Sequence, residues 1–529
     1  MQPRRIGISA LITLIAATTT AFAPNFPLSF AAPPALAQTS ANRKAEANRL
    51  LQQGIQQGKT SQFQAALQSF QQALTIYKEI GDRKGEAHSL GNLGIAYFSL
   101  GQYQKAIEFY QQSLAIAREI GDRKGESRSL GNLGNAYTSL GQYQKAIEFH
   151  QQALTIAREI GDHQWEASSL GNLGIAYDSL GQYQKAIEFY QQQLAIAREI
   201  GDRQGEANSL GGLGNAYDSL GQHQKAIEFY QQSLAIKREI SDRSGEAGSL
   251  GNLGIAYYYL GQYQKAIEFH QQSLAIKREI GARSGEANSL NNLGLAYSAL
   301  GQYQKAIEFH QQQLAIAREI GNRQGESRSL GNLGNAYYSL GQYQKAIEFH
   351  QQSLAIKREI GARNGEANSL NNLGNAYDSL GQYRQAIEFY QQSLAIKREI
   401  GARNGEANSL NNLGNAYDSL GQYRQAIEFY QQSLAIKREI GDKEGEGLVL
   451  SNLGNLLAKQ NQPEQAIIFY KQSVNVREEI RRDIRGLSKE QQQSYTETIA
   501  GTYRALADLL LKQGRSSEAQ QVLDLLKVQ

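Results

Sequence analysis

The sequence predicts an all-α solenoid of stacked helix-turn-helix repeats, and three observations carry that expectation. The chain repeats itself every 40 residues: 361–400 is identical to 401–440, and Asn-Leu-Gly recurs at 92–94, 132–134, 172–174, 252–254, 292–294, 332–334, 372–374, 412–414 and 452–454, the mark of one supersecondary unit stacked many times. Of six prolines, Pro3, Pro24, Pro27, Pro33 and Pro34 lie near the N-terminus and only Pro463 lies beyond, so long helices run uninterrupted through the body. Within each copy, apolar residues recur at spacings of three and four.

Residues 1–37 read as a secretory signal peptide. Arg4 and Arg5 precede an apolar run from Ile6 to Ala23, and Ala35-Leu36-Ala37 offers a small-residue cleavage site. The run is short for a membrane span and rich in Ala and Thr. The mature form is therefore expected to be exported, periplasmic or extracellular, and not membrane-spanning.

Residues 38–480 read as about eleven repeats. The first copy is degenerate, near Leu50, Gly54, Phe63, Ala66 and Phe70, as a terminal repeat facing water should be. In the next, helix A is expected from Arg83 to Leu100 behind an Asp82 N-cap, with Leu90, Leu93, Ala96, Tyr97 and Leu100 apolar. Gly101 breaks it. Helix B is expected from Tyr103 to Ile120, with Ala106, Ile107, Phe109, Tyr110, Leu114 and Ile116 apolar, and Gly121 stops it. Residues 481–529 read as a charged linker or helix extension, then a capping helical pair around Leu506, Ala507, Leu510, Gly514, Ala519 and Leu523.

These residues resemble the tetratricopeptide repeat. Leu93-Gly94, the aromatic Tyr97, the Gly101/Tyr103 turn, the small Ala106 and the aromatic Tyr110 fall at that motif's positions, whereas its closing proline is missing and each unit is six residues longer. That length resembles the extended repeats of kinesin light chain and Pins-type adaptors. The resemblance implies a right-handed superhelical solenoid, Tyr97 in the core, and helix A lining a concave groove that binds segments of other proteins. The stretch around Leu487–Tyr495 and Tyr503–Leu510 also resembles the repeat arm of bacterial proteins carrying a caspase-like CHAT protease domain. A second expectation is therefore a sensor arm of such a system without its catalytic domain.

Four helix A positions share the groove face, illustrated by His88, Gly91, Ile95 and Phe98. The third reads Ile95, Asn135, Ile175, Asn215, Ile255, Leu295, Asn335, Asn375, Asn415 and Asn455, apolar or mixed early and amide-lined late. The fourth includes Asp178, Asp218, Asp378 and Asp418. Asparagine donates and accepts, so a ladder of asparagines suits the backbone of an extended peptide. The extended-repeat resemblance implies that use. The neighbouring Asn92 series fits the groove or a bridge between helices equally well. Arg128 and Arg328 are the groove's arginines. The second position is never Lys or Arg, which sets aside the basic clamp of chaperone-binding relatives.

Other chemistries find no support. Cysteine is absent, which excludes disulfides and thiolate zinc sites. The formal charge is +4, and residues 1–37 hold two arginines and no acid, so no basic block marks nucleic-acid binding. No nucleophile triad, phosphate loop or His-Glu-x-x-His motif occurs. No enzyme, cofactor or metal is expected. His150, His270, His310 and His350 replace the helix B tyrosine and read as core residues, and Trp165 reads as a surface residue in a turn. The expected partners are protein or peptide segments, with end-to-end self-association a further expectation.

Overall fold

The computed structural model describes residues 34–486 and 489–527. Among these residues there are 24 α-helices and no strand. They fall into two compact units, one ending at Trp165 and the other beginning at Glu166. The signal-peptide expectation falls almost wholly outside the described residues; its last residues open the first helix, Pro34–Lys59.

Helices of 17 residues alternate with three-residue turns. The pair Arg83–Ser99 and Tyr103–Glu119 ends one residue earlier, at each helix, than the sequence predicts. Asp82 Oδ1 accepts the Gly85 N–H at 3.0 Å, satisfying one of the donors a helix start leaves open. The turn closes through Gly101 at φ +72°, the left-handed region glycine enters without penalty. In the last 40-residue copy helix B, Pro463–Asp483, runs on into a short 3-10 turn, Ile484–Gly486. The pair Lys489–Lys512 and Ser516–Asp524 follows.

Each repeat closes around one contact. The helix B aromatic lies on the backbone of helix A at the glycine of Asn-Leu-Gly. A Cβ on Gly94 would sit 2.4 Å from the Tyr110 ring, and one on Gly414 would sit 2.5 Å from Tyr430. Leu90, Leu93, Ala106, Ile107 and their equivalents bury around it. Tyr97, expected in the core, is only half-buried. Its ring stacks on Phe109 at 5.2 Å, and the Lys105 ammonium lies 5.4 Å from its centroid. The tyrosine therefore caps the core instead of filling it, with one ring available to a cation.

Ion pairs fasten successive repeats. Glu286, only 6% exposed, accepts from Arg278 and Arg283 at 2.8 and 2.5 Å, and Arg283 also pairs with Glu319. Burial opposes ionisation of Glu286, but the two guanidiniums outweigh it and hold the carboxyl below its usual range. Equivalent triads recur at Glu246, Glu326, Glu366 and Glu406.

Candidate functional site

In the second unit, successive A helices touch one another across repeat boundaries, whereas B helices chiefly pack against A helices. The A row thus forms the inner face of the stack. The Gly of Asn-Leu-Gly and the aromatic beneath it hold each A helix close against its B helix.

The third-position asparagines are oriented by the protein itself. The hydroxyls of Tyr230, Tyr390, Tyr430 and Tyr470 donate to the Oδ1 atoms of Asn215, Asn375, Asn415 and Asn455 at 2.9, 2.8, 2.7 and 2.6 Å. The same oxygens also take the amide of the next repeat's Asn-Leu-Gly asparagine: Asn252 reaches Asn215 at 3.1 Å, Asn412 reaches Asn375 at 3.4 Å, and Asn452 reaches Asn415 at 3.4 Å. Asn335 is likewise held by Asn372 at 3.1 Å. The result is a row of asparagine side chains locked through their oxygens.

The Asn92 series is therefore resolved for these repeats as a bridge. Asn332, Asn412 and Asn452 also donate to Asn291, Asn371 and Asn411 at 3.1, 3.0 and 3.0 Å. Asn291 and Asn411, placed by the sequence on the groove face, are buried at 7 and 8% exposure. They serve the bridge.

The fourth position adds carboxylates with different surroundings. Asp178 and Asp378 each keep one buried oxygen without a hydrogen-bond partner, and burial raises both carboxyls above their usual range. Asp418 pairs with Lys459 of the following repeat at 2.7 Å, and Asp218 takes His223 Nδ1 at 2.7 Å. Asn415, Asp418, Tyr430, Asn452, Asn455, Lys459 and Tyr470 line one cleft of 460 Å³. Arg328 stands exposed on the same row.

Arg128 and Asn135 belong to the first unit, where Arg128 is exposed and Asn135 half-buried. This unit also carries an apolar cleft. Ile95 is 46% exposed, and Ile55, Phe63, Phe70 and Ile95 contribute to a cleft of 270 Å³. Trp165 departs from expectation. It lies in the first turn of helix His163–Ser179, donates its backbone N–H to Asp162 at 3.1 Å, and is half-buried with its ring against Gly131. It stands where most repeats carry the glycine of the first turn, so its ring covers a second-position glycine.

Sequence reasoning on helix A missed the lysines that helix B sends to this face. Lys237, Lys397 and Lys437 are buried, yet their ammoniums reach first-position asparagines: Lys237 to Asn208, Lys397 to Asn368 and Lys437 to Asn408, each at 2.7 Å. Lys277 and Lys357 reach Ser289 and Ser369 at 3.0 and 2.8 Å. The signal was present: these positions are Ala117, Ala157, Ala197 and Ala317 in other copies, and a cation replacing a core alanine marks a position that is not simply packing.

The four histidines are core residues, 0–1% exposed, and burial drops each to about 4. Among the described residues no group of three or more His, Asp or Glu is placed to hold a metal ion, and no helix is long and apolar enough to cross a membrane.

Family models of the tetratricopeptide repeat match residues 46–119, 125–199, 179–239, 285–359, 325–399, 365–439 and 405–479, with further matches at 247–279 and 500–524. No curated protein matches the chain. Among solved structures, a signal-transduction ATPase with a tetratricopeptide repeat sensor from Pyrococcus horikoshii aligns at 18% identity and TM-score 0.51. That alignment covers 66% of this chain and 54% of that one. A kinesin-light-chain-like protein of nearly identical repeats from Podosopora anserina is 30% identical over 37% of this chain and 95% of its own, with TM-score 0.34. The quorum sensor NprR from B. thuringiensis is 15% identical over 68% of this chain and 99% of its own, with TM-score 0.46. The matches run through most of the 40-residue copies and the C-terminal pair, and the chain belongs to the tetratricopeptide-repeat family.

Proposed function

We propose that this protein is a non-enzymatic scaffold that holds an extended segment of a partner protein against the A-helix face of its second unit. The observation that carries the reading is the locked amide row. Tyrosine hydroxyls and neighbouring asparagines take the Oδ1 atoms of Asn215, Asn375 and Asn415, so these side chains are already ordered. A peptide carbonyl binding there incurs little further ordering cost, and backbone pairing makes few demands on the ligand's sequence. Asp178 and Asp378, half-buried on the same row, add carboxylates beside the amides. Export to the periplasm or beyond belongs to the same reading and is supported by residues 1–37.

The test is capture from native extracytoplasmic and membrane extract, comparing the parent bait with N375D/N415D/N455D. Aspartate keeps the oxygen that the tyrosines need and replaces the N–H donors by an acceptor. Partners held by the parent and lost from the variant support the groove; identical capture by both removes it.

A further inference from the structure

Repeats of this chain begin helix A in two ways. At Asp242 the carboxylate is held from two sides: Oδ1 accepts the Gly245 N–H at 2.8 Å and Oδ2 takes the Lys237 ammonium at 2.9 Å. Asp442 repeats this with Gly445 at 2.8 Å and Lys437 at 2.6 Å. Both carboxylates remain 27% exposed, so the seat opens to solvent. It also lies beside the groove, because Lys237 and Lys437 touch the first-position Asn208 and Asn408 at 2.7 Å.

Three repeats keep the lysine and lack the acid. Lys277, Lys357 and Lys397 precede Ala282, Ala362 and Ala402, and none of these alanines gives the helix start a side-chain acceptor. Lys397 sits as Lys437 does: it reaches Asn364 and Asn368 at 2.7 Å, matching the bonds of Lys437 to Asn404 and Asn408. Lys277 and Lys357 extend to within 3.9 Å of where a Cβ would stand on the second-position Gly251 and Gly331. No carboxylate among the described residues pairs with any of the three. Burial lowers the affinity of each for its proton, as expected of a cation with no counter-charge. Every copy with an alanine at the cap carries this lysine, so in these three copies the cation has no acid in its own turn to pair with.

We propose that Lys277, Lys357 and Lys397 are seats for the carboxylates of an acidic partner segment running along this edge of the groove. The inference rests on the groove reading above and adds the ligand's chemistry. The internal copies at Asp242 and Asp442 define the ligand group at Lys397, which is placed as Lys437 is: two oxygens, one on a helix-start N–H and one on an ammonium. That geometry fits an Asp or Glu side chain. At Lys277 and Lys357 the ammonium lies at Ser289 and Ser369 and offers a carboxylate the cation alone. The seats lie two repeats apart and then one, so the segment should carry its acids in clusters and not evenly.

The test measures fluorescence anisotropy of labelled poly-L-glutamate with the full chain and with A282D/A362D/A402D, which supplies each seat with its own acid. The variant is expected to melt higher and to bind poly-L-glutamate at least about tenfold more weakly, the equivalent of losing one charge-assisted hydrogen bond. D442A, which frees a fourth seat, should bind more tightly. A control, Q272D/Q352D/Q392D, adds the same charge to exposed helix B positions and should change binding far less. Equal binding by the parent and A282D/A362D/A402D overturns the proposal, as does equal weakening by the control. Extract capture separates the two readings. If a partner lost from N375D/N415D/N455D is still held undiminished by A282D/A362D/A402D, the groove stands and the acidic-segment proposal falls.

Discussion

Two kinds of repeat occupy the second unit, and the contrast lies in one side chain. In the tyrosine repeats, Tyr390 and Tyr430 lie on Gly374 and Gly414 and their hydroxyls reach Asn375 and Asn415. In the histidine repeats, His270, His310 and His350 lie on Gly254, Gly294 and Gly334 in the same slot. Yet the Nδ1 atoms of His270 and His350 have no partner, and His310 has only a 3.4 Å contact with Gln313. The packing is indifferent to the exchange, but the groove is not. Tyrosine ties the core to the amide row, whereas histidine ends beneath it and brings a group that titrates. Consecutive repeats with the same fold therefore differ in how firmly their groove face is held and in how they respond to acid.

Acid should break the comparison most strongly. Each of the three histidines falls to about 4 in the folded chain, against roughly 6.5 when unfolded. The unfolded chain therefore binds more protons between these values. Stability is fully present above about pH 6.5, falls as pH drops through the window, and levels off below about pH 4. The loss approaches roughly 3 kcal/mol per histidine. Hydrogen exchange at pH 7 and pH 5 should show 263–360 opening first. H270Y/H310Y/H350Y should flatten that response, and an unchanged pH profile would contradict the burial argument.

Glycine is the next lever. Gly414→Leu puts a side chain into the Tyr430 ring and should cost roughly 3 kcal/mol, read by urea denaturation. The equivalent Gly334→Leu under His350 should cost a similar amount, because the Cβ meets that ring at 2.5 Å as well.

The smallest expected effects are the most discriminating. Tyr430→Phe removes one hydrogen bond to Asn415 and should destabilise by about 1 kcal/mol. His350→Phe removes a buried ring nitrogen without a partner and should be neutral or stabilising by about 1 kcal/mol. Opposite signs in thermal melts would support the distinction; equal losses would mean the imidazole is satisfied as well as the phenol.

The repeated helix pair and most of its core were legible because a 40-residue period forces the same pattern on every copy, although Tyr97 lies half-buried at the edge of that core. The groove was only half legible. Spacing along helix A put Asn375 and Asn415 on the inner face, but the partners of their oxygens come from helix B and from the next repeat. No pattern within one helix shows that. Lys277, Lys357 and Lys397 were overlooked for a related reason: the lysine stem crosses from helix B while its head emerges on the A side. Trp165 misled because the turn motif continues into the helix.

The account's central claim is that a partner lies on the A face, and site-specific photo-crosslinking tests it most directly. A benzophenone side chain placed at Asp378, on the groove, should capture the partner from extract. The same group at Gln392, exposed on helix B, should not. Capture from Gln392 with none from Asp378 would place the partner on the outer row and contradict the groove account.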